Sequence, residues 1–156
     1  MGDQIAIMTD GRIQQIGPPE YIFHRPATQF VASFMGVADF LQCNVDGDIL
    51  ATDLGVFERP QGIGHDANMN IMVRPDDISI HSDKSSRSVV IDRVFQGGHY
   101  LYRIRLPSGA EVHSLMGHHQ FHEVGEAVNV EIDAGHDIVC FVDGEIRLLS
   151  KISKDS

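Results

Sequence analysis

The sequence predicts a mostly β fold in which a hairpin and two short helices precede a closed or partly closed β-barrel. Three Asp-Gly pairs stand between apolar runs: Asp10-Gly11, Asp46-Gly47 and Asp143-Gly144. Asp-Gly readily takes the positive φ angles of a tight turn, so each pair predicts a hairpin. From Ala38 onward the apolar residues recur with a period of two, and many short strands at such spacing are typical of a barrel.

The hairpin and the helices occupy the first part of the chain. The first Asp-Gly pair joins the strand Ile5–Met8 to the strand Arg12–Ile16. A proline precedes Glu20–His24, which favours a short helix there because proline fits the first helical position. Thr28 is the expected N-cap of a second helix, Gln29–Met35, which a glycine ends.

The rest of the chain reads as strands separated by turns. In Tyr100–Leu106, alternate residues are apolar, so Tyr100, Tyr102, Ile104 and Leu106 are predicted to share a buried face. Residues 82–88 are polar and predict a loop. The other predicted strands are Phe40–Val45, Ile49–Ala51, Ile71–Arg74, Ser79–His81, Val89–Phe95, Glu111–Leu115, Val128–Ile132, Ile138–Val142 and Glu145–Leu149.

Charge and composition exclude several classes of partner. The 156 residues include 22 Asp and Glu against 12 Lys and Arg, for a net charge of -10. Such a chain repels nucleic-acid backbones and anionic lipid surfaces. No apolar run is long enough to span a bilayer, and the two isolated cysteines, Cys43 and Cys140, form neither a zinc pattern nor a disulfide framework. We therefore expect reduced thiols and no nucleic-acid partner.

The hairpin and the two helices of the first part are too small to bury all of their own apolar side chains. Phe23, Phe30, Val31 and Phe34 belong to two short helices beside a single hairpin, which cannot bury them all. We expect this part to be the tail of a larger domain. We also expect Phe23, Phe30, Phe34 and Met35 to be dimer contacts, since exchange of such a segment between two copies is a low-cost route to a homodimer.

Two consecutive stretches resemble the end of the nucleotide-binding domain of ATP-binding-cassette (ABC) importer ATPases. Ile5–Ile22 is similar to that family's strand, Asp-Gly turn, second strand and G-x-P-x-E-I-Y helix start. Arg25–Gly36 resembles its x-P-x-x-x-F-V-A-x-F-I-G segment.

The remainder resembles the TOBE domain, a small OB-like β-barrel appended to the nucleotide-binding domain. The matching stretches are Ala38–Leu41 (A-N-F-L), Met72–Ile78 (V-R-P-E-D-I), Val94–Gly97 (V-x-F-x-G) and Leu106–Gly109 (L-x-x-G). The resemblance implies that residues 1–36 are the remnant of a nucleotide-binding domain and that residues 37–156 form the OB-like domain.

The resemblance also implies a parent protein and its partners. That parent is a cytoplasmic ATPase subunit, peripheral on the inner face of a bacterial membrane, which uses ATP and Mg to drive import through membrane-spanning permease subunits. The similar importers carry ferric iron, polyamines, sulfate or sugars, and we favour the iron and polyamine branch. The region present here is expected to contribute homodimerisation and regulation.

This chain itself lacks the chemistry of an ATPase. ATP binding in that family needs a G-x-x-x-x-G-K-[ST] loop, and no Gly-Lys pair occurs anywhere in the sequence. We expect no catalytic residue and no cofactor in this fragment. Combinations such as His113 with Ser114 do not predict a catalytic triad, because adjacent residues of a strand point to opposite faces.

Two features point to a different class of function, a stand-alone barrel that binds a small ligand. His118, His119 and His122 have a spacing that suits Zn²⁺, Ni²⁺ or Cu²⁺ if they share a helix face, although a solvated loop also explains them. Arg74 is a candidate to bind a small oxyanion, or to form an ion pair with Asp76, Asp77 or another neighbour.

Overall fold

The computed structural model describes residues 3–149 and confirms the mostly β, OB-like fold. Its helices are α1 (Pro19–His24) and α2 (Gln29–Met35), and a 3-10 turn, η1, covers Pro75–Asp77. The strands are β1 (Ile5–Thr9), β2 (Arg12–Gly17), β3 (Asp39–Gln42), β4 (Asn44–Asp46), β5 (Ile49–Thr52), β6 (Gly55–Glu58), β7 (Met69–Val73), β8 (Ile78–Ser82), β9 (Val89–Phe95), β10 (His99–Arg105), β11 (Glu111–Gly117), β12 (Val128–Ile132), β13 (Ile138–Val142) and β14 (Glu145–Leu149).

The strands pair into five antiparallel sheets rather than one continuous ring of hydrogen bonds. Within residues 3–149 the strand orders are β1-β2, β11-β10-β9, β12-β8, β14-β13-β7-β3 and β4-β5-β6. The last four sheets surround one large apolar core, which includes Phe57, Ile71, Tyr102, Ile104 and Val128. We call residues 37–149 the β domain and residues 3–36 the front segment.

The three predicted hairpins are present. Asp10 and Gly11 have φ angles of 50° and 73°, and Asp143 and Gly144 have φ angles of 48° and 88°, as the predicted turns require. In the middle hairpin, Asp46 pairs with Ile49, so the two turn residues are Gly47 and Asp48.

A few boundaries differ from the prediction. The predicted strand Phe40–Val45 is interrupted at Cys43, and β3 and β4 belong to different sheets. The strand β6 and the turn η1 were not predicted. Gly55–Glu58 is short, and η1 begins at Pro75, directly after the predicted strand Ile71–Arg74, with no separate pattern of its own.

The central strands β7 and β13 are buried on both faces. Ile71 and Cys140 face the main core, whereas Met72, Val139 and Phe141 pack on the opposite side against Ala32 of α2. This second layer explains why every residue of β13 is apolar, because a strand covered on both sides has no solvent-facing position. The front segment is therefore docked on the outer face of the sheet of the β domain.

Candidate functional site

The contact between the front segment and the β domain centres on Arg74. This residue follows β7 and precedes η1. Its backbone N–H donates to Oδ2 of Asp77 (3.1 Å), and the N–H of Asp77 donates back to the carbonyl of Arg74 (2.9 Å). These reciprocal bonds fix the backbone of Arg74 and aim its side chain away from the core, toward the two helices.

The Arg74 guanidinium donates hydrogen bonds to three backbone carbonyls. Nη1 donates to Val37 (3.1 Å), in the connection after α2, and Nη2 donates to Phe23 (3.0 Å) and to Ala32 (3.3 Å). The guanidinium carbon also lies 3.9 Å from the centroid of the Phe23 ring, within the range of a cation–π contact. One side chain of the β domain thus holds both helices and the connection between the two parts.

The carbonyls that Arg74 binds are ones that short helices leave without partners. Phe23 lies in the last turn of α1 and Ala32 in the last turn of α2, where backbone carbonyls have no intrahelical donor. A cation at a helix C-terminus also interacts favourably with the helix dipole. Because helices of 6 and 7 residues are marginal by themselves, this cap is part of what stabilises them.

The electrostatics at Arg74 are those of a buried charge held by dipoles. Only 4% of Arg74 is exposed. Burial lowers the pKa of Arg74, while the nearby charges of Asp76 and Asp77 oppose that shift. Among the described residues, no carboxylate forms a direct ion pair with its guanidinium, so the predicted ion pair with Asp76 or Asp77 is replaced by carbonyl contacts.

The Nε–H of Arg74 is buried and has no hydrogen-bond partner in the described part of the chain. Arg74 is one of the residues around a cavity of about 20 Å³, which is lined by Phe23, His24, Met72, Arg74, Asp76, Asp77, His136 and Val139. That volume accommodates about one water molecule, which is smaller than a sulfate. Anion binding by Arg74 stays a prediction, and the contacts observed are those of a residue that joins two structural parts.

A histidine completes this region, which we call the joint (Phe23, Ala32, Val37, Arg74, Asp77 and His136). Nε2 of His136 lies 3.0 Å from Oδ1 of Asp77, the carboxylate that also fixes Arg74. The His136 ring meets the ring of His24 from α1 edge-on, with 6.0 Å between centroids. The pKa of His136 is raised, chiefly by the carbonyl of Asp137 and further by Asp77, against the opposing effect of partial burial.

The three histidines proposed as metal ligands make different contacts. His118 and His119 are exposed, and their rings are tilted by 39° to each other with 3.9 Å between the centroids. His122 is buried, and its Nδ1 lies 3.1 Å from Oε2 of Glu126. In residues 3–149 no three His, Cys, Asp or Glu side chains are grouped as a metal site requires. Metal binding and a solvated loop stay the two alternatives, and the melting temperature measured with Zn²⁺ or Ni²⁺ distinguishes them.

The loop is held instead by a buried tyrosine. The hydroxyl of Tyr102 donates to the carbonyl of Gln120 (3.1 Å) and accepts the backbone N–H of His122 (3.0 Å). Arg93 lies over the Phe121 ring at 4.3 Å and donates to the carbonyl of His122 (3.2 Å). These contacts give the loop a defined conformation that its polar sequence does not indicate.

The four predicted dimer contacts divide into two pairs. Phe30 and Phe34 are 45% and 64% exposed, and their rings lie 6.3 Å apart on α2. Phe23 is half-buried beneath Arg74, and Met35 packs against the small core of the front segment. The first pair is the more exposed of the two. Val31, for which the sequence also predicted a partner surface, is instead fully buried in that small core.

His113 and Ser114 confirm the argument from strand alternation. Nδ1 of His113 lies 3.0 Å from Oδ1 of Asp39, whereas the Ser114 hydroxyl donates to the carbonyl of Ile78 (2.6 Å). The two side chains are on opposite faces of β11, so they do not form a catalytic pair.

Sequence reasoning named Asp77 as a possible partner of Arg74 but missed Phe23 and His136 as parts of the joint. Phe23 is 51 residues from Arg74, and His136 is 59 residues from Asp77. No local pattern relates residues so far apart. The one available signal was the isolated arginine in the apolar strand Ile71–Arg74, which needs partners wherever the chain folds.

No helix within residues 3–149 combines the length and apolar character that crossing a membrane requires.

Comparison with known proteins confirms the resemblance found in the sequence. Residues 71–139 match the family described as the TOBE domain. The chain is 30% identical over 140 residues to the Fe(3+) ions import ATP-binding protein FbpC of Streptomyces coelicolor, covering 89% of this chain and 40% of that protein. It is 31% identical over 136 residues to the spermidine/putrescine import ATP-binding protein PotA of Clostridium acetobutylicum, covering 85% of this chain and 38% of that protein.

A third relative, the spermidine/putrescine import ATP-binding protein PotA 1 of Pseudomonas aeruginosa, is 29% identical over 125 residues, covering 70% of this chain and 33% of that protein. The regions matched are the C-terminal parts of these subunits. The chain therefore spans between a third and two fifths of the length of these relatives.

Proposed function

We propose that this chain is the regulatory and dimerisation region of an ABC importer ATP-binding subunit. The premise is that it carries a TOBE domain and is similar to the C-terminal parts of such subunits. The similarity to subunits named for Fe(3+) and for spermidine and putrescine supports ferric iron or polyamines as the transported solute. The boundary we propose between the two parts is at residues 36 and 37.

The single observation that carries the proposal is the exposure of large apolar side chains in the front segment. Its small core of Ile7, Ile22 and Val31 is buried, yet Ile13, Ile16, Phe30 and Phe34 remain at least 45% exposed. Phe30 and Phe34 lie side by side, with 6.3 Å between their ring centroids, and a monomeric protein rarely leaves a cluster of large apolar side chains in water. The proposal gives this face a partner: an ATP-binding domain of the kind found in the relatives, or a second copy of the subunit.

The rest of the proposed machinery is assigned to the parent protein. ATP and Mg bind in the ATP-binding domain, and this region uses no cofactor. The subunit acts as a homodimer on membrane-spanning permease subunits, at the inner face of the bacterial membrane. The acidic chain supports the expectation that nucleic acid is not a partner.

A chimera tests the proposal. This chain replaces the matching C-terminal region of the Streptomyces coelicolor relative, and the chimera is expressed in cells that lack the original subunit. We expect ATP-dependent ferric-iron uptake to be restored to a measurable fraction of the original rate. A matched control carries an unrelated β-barrel of similar size in the same place, and equal uptake by the control would count against a role for this region.

A further inference from the structure

We propose that Arg74 is a positioning residue that fixes the orientation of the front segment on the β domain, so that the two parts move as one body. The functional meaning of this joint rests on the proposed function, because the front segment is where an ATP-binding domain would continue. The joint itself is a property of this chain and is tested on the chain alone.

The contacts across the joint are of two kinds, which constrain different things. Ala32 packs with Met72, Val139 and Phe141 in an apolar layer. Apolar packing is non-directional, so by itself it holds the helix near the sheet without fixing its rotation. Hydrogen bonds require a narrow range of distance and angle, and Arg74 makes three of them to the front segment and its connection.

The three carbonyls that accept hydrogen bonds from Arg74 belong to different structural elements. The carbonyls of Phe23, Ala32 and Val37 belong to α1, to α2 and to the connection that follows. A planar guanidinium reaches all three only when both helices and the connection are in one arrangement. The Phe23 ring, 3.9 Å from the guanidinium carbon, covers one face of the same group.

The other end of the arginine is equally constrained. Asp77 accepts the backbone N–H of Arg74, and His136 in turn contacts Asp77. Lysine cannot replace such a group, because an ammonium lacks the fixed fork of donors. A change in the η1 region of the β domain would therefore be passed through Arg74 to both helices at once. This is the step by which the β domain would influence an ATP-binding domain attached to the front segment.

The test measures how widely the distance between the front segment and the β domain varies. Cysteines replace Ser33 on α2 and Arg103 on β10, both exposed positions, and carry spin labels whose distance distribution is measured by electron paramagnetic resonance. Native Cys43 and Cys140 are buried and stay unlabelled in the folded chain. We expect a narrow distance distribution in the spin-labelled chain that keeps Arg74. In the Arg74→Ala variant the distance distribution should be at least about twofold broader, because local opening becomes easier when directional contacts are lost.

Chemical rescue separates positioning from simple loss of packing. Methylguanidinium at low millimolar concentration is expected to narrow the distribution of Arg74→Ala, whereas methylammonium is not, since only the former restores the planar donors. Arg105→Ala serves as the matched control, because Arg105 is exposed and is paired only loosely with Glu111 at 4.0 Å. We expect its distribution to equal that of the parent.

Several results would overturn the proposal. A parental distribution in folded Arg74→Ala would show that the apolar layer alone sets the orientation. Equal rescue by the two cations would show that Arg74 does not act through its fork of donors. If circular dichroism shows that Arg74→Ala is unfolded, Arg74→Lys carries the test, and a parental distribution in that variant overturns the proposal. These results do not depend on the uptake measured with the chimera, so either idea can fail alone.

Discussion

Nε2 of His136 lies 3.0 Å from Oδ1 of Asp77, the carboxylate whose other oxygen accepts the backbone N–H of Arg74. A carboxylate shared in this way links the titration of one histidine to the geometry of the joint. Because the pKa of His136 is raised, the folded chain binds the proton more tightly than the unfolded chain does.

The sign of the pH dependence follows from that shift. The contribution of His136 to stability is fully present below the unfolded pKa of about 6.5 and is lost as the pH rises through the higher folded pKa. We expect His136→Asn to lower the free energy of unfolding at pH 5.5 by more than at pH 8.5. Since half of the side chain is exposed, the difference should be at most about 0.5 kcal/mol. Urea unfolding at the two pH values measures it, and an equal loss at both would contradict the assignment.

Tyr102→Phe should destabilise the loop that contains His122. The substitution removes a hydroxyl that bonds Gln120 and the backbone N–H of His122, and leaves that buried N–H unsatisfied. We expect a loss of about 1–2 kcal/mol in the free energy of unfolding. Tyr100→Phe is the control, because the Tyr100 hydroxyl makes no hydrogen bond within residues 3–149. Equal losses in the two variants would argue against the role of the Tyr102 hydroxyl.

The chain should be a homodimer that depends on Phe30 and Phe34. We expect sedimentation equilibrium to give a dimer mass for the parent and a monomer mass for the variant Phe30→Ser/Phe34→Ser, because this variant removes exposed apolar surface without touching a core. The control variant, Phe95→Ser/Phe121→Ser, removes two other exposed rings. A monomer mass for the unsubstituted chain over a wide concentration range would contradict the prediction. Dissociation of the control variant would contradict the role of Phe30 and Phe34.

Divalent metals should leave the melting temperature unchanged. A ligand that binds only the folded state raises the melting temperature, so Zn²⁺ or Ni²⁺ held by His118, His119 and His122 would be detected. We expect no shift, since Nδ1 of His122 is directed to Glu126 rather than toward the other two rings. A rise of several degrees that His118→Ala/His119→Ala abolishes would restore the metal-binding hypothesis.

Local pattern was enough to predict most of the secondary structure. Helix α2 and the strands β9, β12, β13 and β14 have the predicted bounds. Thr28 caps the helix, apolar residues alternate in β12, and the Asp143-Gly144 turn separates β13 from β14. The Thr28 hydroxyl accepts the N–H of Val31 at 3.2 Å, as the predicted cap requires. The strand β6 was missed because four residues are too few to establish a period.

The candidate site was predictable only in part. The sequence singled out Arg74 as a candidate to bind an oxyanion or a carboxylate, because a guanidinium can donate two parallel hydrogen bonds to either group. It did not identify the backbone carbonyls that Arg74 binds, since carbonyls have no side-chain signature and any backbone can supply one.

The sequence by itself determined that the chain is acidic, mostly β and similar to the end of an importer ATP-binding subunit, because these follow from composition, period and local motifs. Tertiary structure alone decided that Arg74 binds the carbonyls of Phe23, Ala32 and Val37. It also decided that Tyr102 holds the loop that contains His122, and that Phe30 and Phe34 remain exposed to solvent. The physical reason is that such contacts join residues far apart in the chain. They form only when burial of the apolar layers has brought those residues together, and no periodicity along the sequence encodes that distance.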